Sequence, residues 1–208
     1  KIPSTYTDYH AMFDDESLDA ISIVTPDKFH YQVAMAAMRK GLHVLCEKPL
    51  SSTLSEAEEM CRAAKKYGIV NMVNFSYRDC PGLNGVAKYI HSGKLGAIRH
   101  VEASYLQSWL VSKKWGDWRK NSAWLWRMSS RHGSLGVLGD LGSHLFDLLR
   151  WLCGDIEEIN CRLKTFHKGV PGNRVGDYKL DANDSFTASL IFKNGALGSV
   201  QASRWAVG

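Results

Sequence analysis

Two short stretches carry the residue types best suited to proton chemistry. One is Glu47-Lys48-Pro49, inside the octapeptide His43–Leu50 (HVLCEKPL). A lysine partly withdrawn from water has its pKa lowered. It can then donate to, or steady, an oxygen that gains or loses a proton. The other is Gly139–Asp147 (GDLGSHLFD). At ~100° per residue, helix positions four apart lie ~40° apart around the axis, so Asp140 and His144 share a face. An imidazole that titrates near neutrality suits a general base. A carboxylate in the first turn suits the helix dipole. Plainer readings exist for each. Glu47 and Lys48 fit a solvated loop, Asp140 fits a helix cap, and His144 fits a surface or interdomain position. Asp140, His144 and Asp147 also have the residue types of a metal site, but they lie on one helix with no partner cluster.

These groups need elements to hold them. Ala20–Val24 (AISIV) reads as a buried strand stopped by Thr25-Pro26-Asp27, and His43–Cys46 (HVLC) as a second. Between them, apolar residues Val33, Ala34, Ala37 and Met38 recur with helical spacing, and Gly41 ends the helix. Ser55 and Glu58 have the spacing of a capping box, opening a helix to Tyr67 that Gly68 ends. Ile69–Phe75 (IVNMVNF) reads as a third strand. Short strands alternating with helices of about a dozen residues indicate βαβ units and a parallel sheet. In such a sheet ligands bind beyond the carboxyl ends of the strands. Thr25, Pro26 and His30, then Glu47 and Lys48, then Asn74, Tyr77 and Arg78 would all lie along that edge. Pro49 fixes φ and forces the turn after the second strand. His30 also reads as a partly buried histidine at a helix start, and Arg78 as an arginine lying along an aromatic.

After Arg78 the pattern changes. Val86–His91 looks helical, Ala97–Trp109 is a long β run, and a Trp-, Lys- and Ser-rich stretch runs from Leu110 to Ser134. Gly139–Leu152 is an amphipathic helix, Ile156–His167 a strand and Val170–Ala182 a loop. Asp184–Phe192 and Ala196–Trp205 flank Lys193-Asn194-Gly195, and Asn-Gly is a strong hairpin signal. The fold class is therefore α/β. An incomplete Rossmann-like parallel sheet over residues 1–78 is followed by an α+β domain with an open antiparallel sheet over residues 79–208. Gly136, Gly139 and Gly142 form a G-x-x-G-x-x-G series, which is not the dinucleotide fingerprint.

Composition narrows the classes. Of 208 residues, 45% are apolar and 23% charged, as in ordinary globular proteins. The net charge of +5 comes from scattered lysines and arginines, with no basic block of nucleic-acid type. No run of 18 apolar residues marks a membrane span and no secretory segment opens the chain. Five dispersed cysteines without a C-x-x-C pair fit reduced thiols in the cytoplasm.

Taken together, the segments resemble the Gfo/Idh/MocA family of nicotinamide-dependent sugar and polyol oxidoreductases. The resemblance rests on IVTPDKFH (Ile23–His30), GLHVLCEKPL (Gly41–Leu50), NFSYR (Asn74–Arg78), GKLG (Gly93–Gly96), GDLGSHLFD (Gly139–Asp147) and DSFTASLIFKNGALG (Asp184–Gly198). It implies a Rossmann domain, then a domain with a large open sheet, with NAD or NADP over the strand tips and a sugar or polyol between the domains. It implies that His144 takes the hydroxyl proton as hydride passes to the nicotinamide, that Lys48 hydrogen-bonds the reacting oxygen, and that Asp140 orients a neighbouring hydroxyl. Thr25, Pro26, His30, Glu47 and Asn74 would line the cofactor. Tyr77, Arg78, Trp126 and Arg127 would face substrate or nicotinamide. The family often has a cis Lys–Pro bond at Lys48–Pro49, and a homodimer or homotetramer through the antiparallel sheet. Alternatives of the same descent are a nicotinamide-dependent glycosidase and a non-catalytic oligomerising relative.

The sequence departs from the family pattern in three places. It holds no G-x-G-x-x-G loop or ribose selector and starts at Lys1, as though after two β-α units, or ~60 residues. His132-Gly133-Ser134-Leu135-Gly136 stands where three glycines are usual. The final sheet stops early, at Gly208. The expectation is a truncated oxidoreductase, inactive or nearly so, with weakened dinucleotide affinity.

Overall fold

The computed structural model describes residues 2–207. The chain divides into two compact units, Lys1–Asn74 and Phe75–Gly208.

The first unit runs α1 (Tyr9–Asp15), β1 (Ala20–Ile23), α2 (His30–Arg39), β2 (His43–Cys46), α3 (Leu54–Tyr67) and β3 (Asn71–Val73). The strands form a parallel sheet in the order β1-β2-β3, with Ile23 opposite Cys46 and Cys46 opposite Val73. The ladder extends one step past the strands: Glu47 N–H donates to Ile23 O at 2.9 Å and Asn74 N–H to Cys46 O at 2.8 Å. All three tips are thus tied level. Helix α2 buries Val33, Ala34, Ala37 and Met38, the residues its periodicity marks, against Ile23, Val44 and Cys46. Helix α3 differs from expectation at its start. Its capping box is Thr53–Glu56, two residues before Ser55–Glu58. Thr53 Oγ1 accepts from Glu56 N–H, and the Glu56 carboxylate accepts from Thr53 N–H. Strand β3 is only three residues long, shorter than the apolar run around it.

The second unit opens with α4 (Pro81–His91), longer than its apolar pattern because Pro81 starts it at N1. It continues through β4 (His100–Leu106), a short α5 (Ser122–Leu125), a π-helical turn at Leu138–Gly142 leading into α6 (Ser143–Cys153), and β5 (Ile156–Lys164). A small hairpin, β6 (Arg174–Val175) and β7 (Tyr178–Lys179), interrupts the stretch read as loop. Strands β8 (Ser185–Phe192) and β9 (Leu197–Ser203) form the expected hairpin, with Gly195 at φ +83° in its turn.

The four-stranded sheet is mixed, not antiparallel. Its order is β4-β9-β8-β5, and β4 runs parallel to β9. Local sequence announces the tight hairpin. It carries nothing about the direction in which a strand about a hundred positions earlier will join. One face of the sheet packs Phe186, Ala188, Leu190, Phe192, Val200 and Ala202 against Leu141, Leu145 and Leu149 of the helix. The other face is polar in register: Arg162, Thr187, Gln201 and Ser104 form one row, and Asn160, Ser189, Ser199 and Glu102 the next.

Cys46 closes β2 inside the first core, 1% exposed. Burial, and secondarily the charge of Glu47, pushes its thiol up from 9.0 to about 12. An unfolded thiol ionises near 8.5, so the folded value is the higher one. Its stability contribution is complete below about pH 8.5 and declines as pH rises toward 12. At pH 8 we expect native protein to alkylate at the exposed Cys61 and Cys80 while Cys46 stays unmodified until denaturant is added. Mass spectrometry of digested, iodoacetamide-treated protein checks this; Cys46 labelling at the rate of Cys61 would contradict it.

Candidate active site

In the first unit the site residues gather at the strand tips, and they hold one another. The Glu47 carboxylate accepts from Asn74 Nδ2 at 2.6 Å, joining the tip of β2 to that of β3. The backbone N–H of Lys48 leans on the same carboxylate at 3.2 Å. The Lys48–Pro49 bond is cis. Thr25 and Pro26 are exposed beyond β1, and Lys48 is half-buried.

His30 is a correction. Read as a residue lining the cofactor, it is instead fully enclosed. Its Nδ1 lies 2.8 Å from Pro49 O and its Nε2 2.9 Å from Thr25 O. A neutral ring donates its one N–H to one of these carbonyls and lies against the other, which packs it between the turns after β1 and β2.

In the second unit the decisive element is the start of α6. The helix does not begin as a plain α-helix. Ser143 N–H reaches Leu138 O, five residues back, across the π turn that holds Asp140. Turns of this kind are rare and recur at functional sites. Asp140 and His144 are therefore not related by the simple ~40° offset of a regular helix. Two things shape the turn. Gly142 lets Phe186 approach: a Cβ there would stand 3.1 Å from Phe186 Cε1 and 3.0 Å from Leu138 Cδ1. Asn183 supplies the cap. Its backbone carbonyl accepts from Val137 N–H at 2.8 Å, its Oδ1 accepts from Leu138 N–H at 2.9 Å, and its Nδ2 donates to Leu135 O. Asn183 replaces Asp140 in the capping role, which frees the Asp140 carboxylate for other partners.

Those partners are arginines. Arg204 Nη2 donates to Asp140 Oδ2 at 2.9 Å, and Arg127 Nη1 lies 3.5 Å from Asp140 Oδ1. His144 is 7% exposed. The Tyr77 ring lies over its imidazole with centroids 4.3 Å apart, and Phe75 meets it edge-on at 6.2 Å. The Tyr77 hydroxyl pairs with that of Tyr105. Burial, and then this hydrogen bond, raises the Tyr77 pKa well above the usual tyrosine range. Tyr77 thus packs a neutral ring against the His144 imidazole.

Arg78, expected to face substrate, is exposed; it makes a two-pronged pair with Asp147 at 2.8 and 2.7 Å and lies over the Trp151 ring at 5.4 Å, tying the segment before α4 to α6. Trp126 carries the Arg127 guanidinium over its ring at 4.8 Å. Arg127 is thus brought to Asp140. Sequence reading missed Arg204 and Asn183. Arg204 lies one residue past β9 with no flanking motif, and Asn183 sits in a polar run before β8; only their long-range partners reveal them.

Comparison with known proteins agrees with this architecture. Residues 1–75 match the family described as "Oxidoreductase family, NAD-binding Rossmann fold", and residues 84–208 match the GFO/IDH/MocA C-terminal domain. Levoglucosan dehydrogenase of Pseudarthrobacter phenanthrenivorans is 33% identical over 97% of this chain and 53% of its own length. A solved structure of levoglucosan dehydrogenase in complex with NADH and levoglucosan superposes with a TM-score of 0.84 at 35% identity, over 98% of this chain and 52% of that one. An oxidoreductase domain protein from Kribbella flavida gives a TM-score of 0.84 at 37% identity, over 97% and 52% of the two chains. The chain spans about half the length of the curated relatives it matches. On the match of both halves, the chain belongs to the Gfo/Idh/MocA family of oxidoreductases.

Proposed function

We propose that the protein to which this chain belongs is a nicotinamide-dependent dehydrogenase that moves hydride between the cofactor and a hydroxyl carbon of a sugar or polyol. The observation that carries the reading is the pairing on one helix start of a ring-packed imidazole, His144, with a carboxylate, Asp140, fixed by two guanidinium groups. That arrangement suits a general base beside a hydroxyl-orienting group. Relatives support the substrate class: one is named levoglucosan dehydrogenase and another scyllo-inositol 2-dehydrogenase.

The strand tips of the first unit fit one end of a dinucleotide. They are level, and they expose Thr25 and Pro26 beside the linked pair Glu47–Asn74. Crevices at such edges bind nucleotides in open parallel sheets. Thr25, Pro26, Glu47 and Asn74 would hold the nicotinamide-bearing portion, of either NAD or NADP. Once bound, the cofactor supplies a hydride acceptor or donor. In the oxidative direction, Lys48 would donate a hydrogen bond to the reacting oxygen. His144 would accept the hydroxyl proton, and a bound nicotinamide would supply the acceptor for the hydride. Asp140 accepts from a neighbouring hydroxyl, with Arg127 and Trp126 completing the substrate wall.

Two wider features belong to the same reading. Five free cysteines support a cytoplasmic setting, and among the described residues no helix is long and apolar enough to cross a membrane. The outward sheet face, with Leu106, Ile191 and Leu197 around its polar rows, is read as the surface through which copies pair. Sedimentation of the full-length protein at micromolar concentration is expected to give a dimer or tetramer, and a monomer would remove that part of the reading.

The catalytic roles have a separate test. Full-length protein is assayed at 340 nm with NAD and NADP against a panel of anhydrosugars, aldoses and inositols. We expect turnover with at least one member, and losses of about 10²–10⁴ in kcat for Lys48→Ala and for His144→Ala. Retention of more than a tenth of kcat in both variants would overturn the assignment.

A further inference from the structure

We infer that Arg204 is a positioning residue for the site, acting through Asp140 from the end of a buried chain of alternating charges. The inference rests on the dehydrogenase reading for its catalytic consequence, but its structural content stands apart.

Arg204 is 1% exposed. Its Nη1 donates to Arg127 O at 2.8 Å and its Nη2 to Asp140 Oδ2 at 2.9 Å. Its guanidinium lies over the Trp109 ring at 5.0 Å. Its backbone N–H donates to Asp184 O at 3.0 Å, which fixes where the side chain starts. Behind it, Asp184 is fully buried and paired with Lys168, whose side chain is equally buried. Lys168 also donates to Phe166 O at 2.8 Å, and Asp184 Oδ2 accepts from Phe166 N–H at 2.8 Å. The order of charges is Lys168, Asp184, Arg204, Asp140, Arg127. Burial lowers the pKa of Arg204, while Asp140 and then Asp184 raise it.

Stability alone gives no reason for such a chain. Apolar residues of similar volume commonly replace buried ion pairs at no loss. The chain reaches the surface at its Asp140–Arg127 end, where the two side chains are 23% and 36% exposed. Arg127 from the Trp-rich segment also meets that carboxylate, and His144 follows four positions later in the chain. A guanidinium 1% exposed, bonded to a carbonyl and packed over a ring, is held away from solvent. It presets the carboxylate plane before any hydroxyl arrives, which is the arrangement a preorganised site needs. Arg204 touches no reacting atom and differs in that respect from His144.

The test uses the full-length protein with Arg204→Met and Arg204→Lys. For Arg204→Met we expect kcat to fall about 10- to 100-fold, as for a misplacement of about an ångström, with the KM for the dinucleotide within about twofold of the parent. Arg204→Lys should recover part of the loss. Crystal structures of the variants should show the Asp140 carboxylate turned from its place while the sheet is unchanged. A purely structural role would lower the melting temperature and leave kcat and the carboxylate alone, and that result overturns the inference. If the parent protein transfers hydride with no substrate, the functional reading fails, and the carboxylate's position in the variant crystals alone decides the inference. If Arg204→Met does not fold, Arg204→Lys decides by the same readouts.

Discussion

A buried cation has to be answered, and in the second unit the answer to Arg204 organises much of what surrounds it. The partners of its guanidinium come from distant parts of the sequence: the carbonyl of Arg127, the ring of Trp109 and the carboxylate of Asp140. Desolvating a guanidinium without such partners would cost several kcal/mol. The Trp-rich segment, the π turn and the exit of β9 are therefore held to one geometry around a single side chain. The apolar contacts of Phe186, Leu141 and Leu145 bring the helix onto the sheet. The charge network then fixes the rotation and end of that helix, which is where the chemistry is proposed to sit.

The first unit solves a related problem without a buried charge pair. Three parallel strands end level, and their turns must be kept from wandering. Glu47 takes the amide of Asn74, and His30 spans two backbone carbonyls. The Glu47–Asn74 and His30–Pro49 contacts each cross from one βα turn to the next. Residues that look reactive by type are partly spent on this bracing. Thr25 and Pro26 are exposed and Lys48 is half-buried.

Much of this was legible in the chain. The parallel unit could be read from three apolar runs separated by helical periodicity, and the hairpin from Asn194-Gly195. The two reactive stretches stood out because each packs its polar residues into fewer than ten positions. What escaped was long-range or depended on backbone detail. Arg204 and Asp140 are 64 positions apart, and no local pattern joins them. The π turn goes with Gly142 packed under Phe186 and with the Asn183 cap, so a regular 3.6-residue period placed Asp140 and His144 on a simpler helix than the one that forms. The parallel pairing of β4 with β9 depends on a crossover that strand composition does not encode. His30 was assigned by neighbourhood to the crevice, whereas full burial between two backbone carbonyls withdraws it.

The account stands most directly on the coupling between Arg204 and Asp140. A double-mutant cycle with Asp140→Asn and Arg204→Met, read as unfolding free energy in urea, measures it without reference to any substrate. The account predicts a coupling of about 1.5–3 kcal/mol, the range for hydrogen bonds to charged groups. Additive single-variant effects would contradict it.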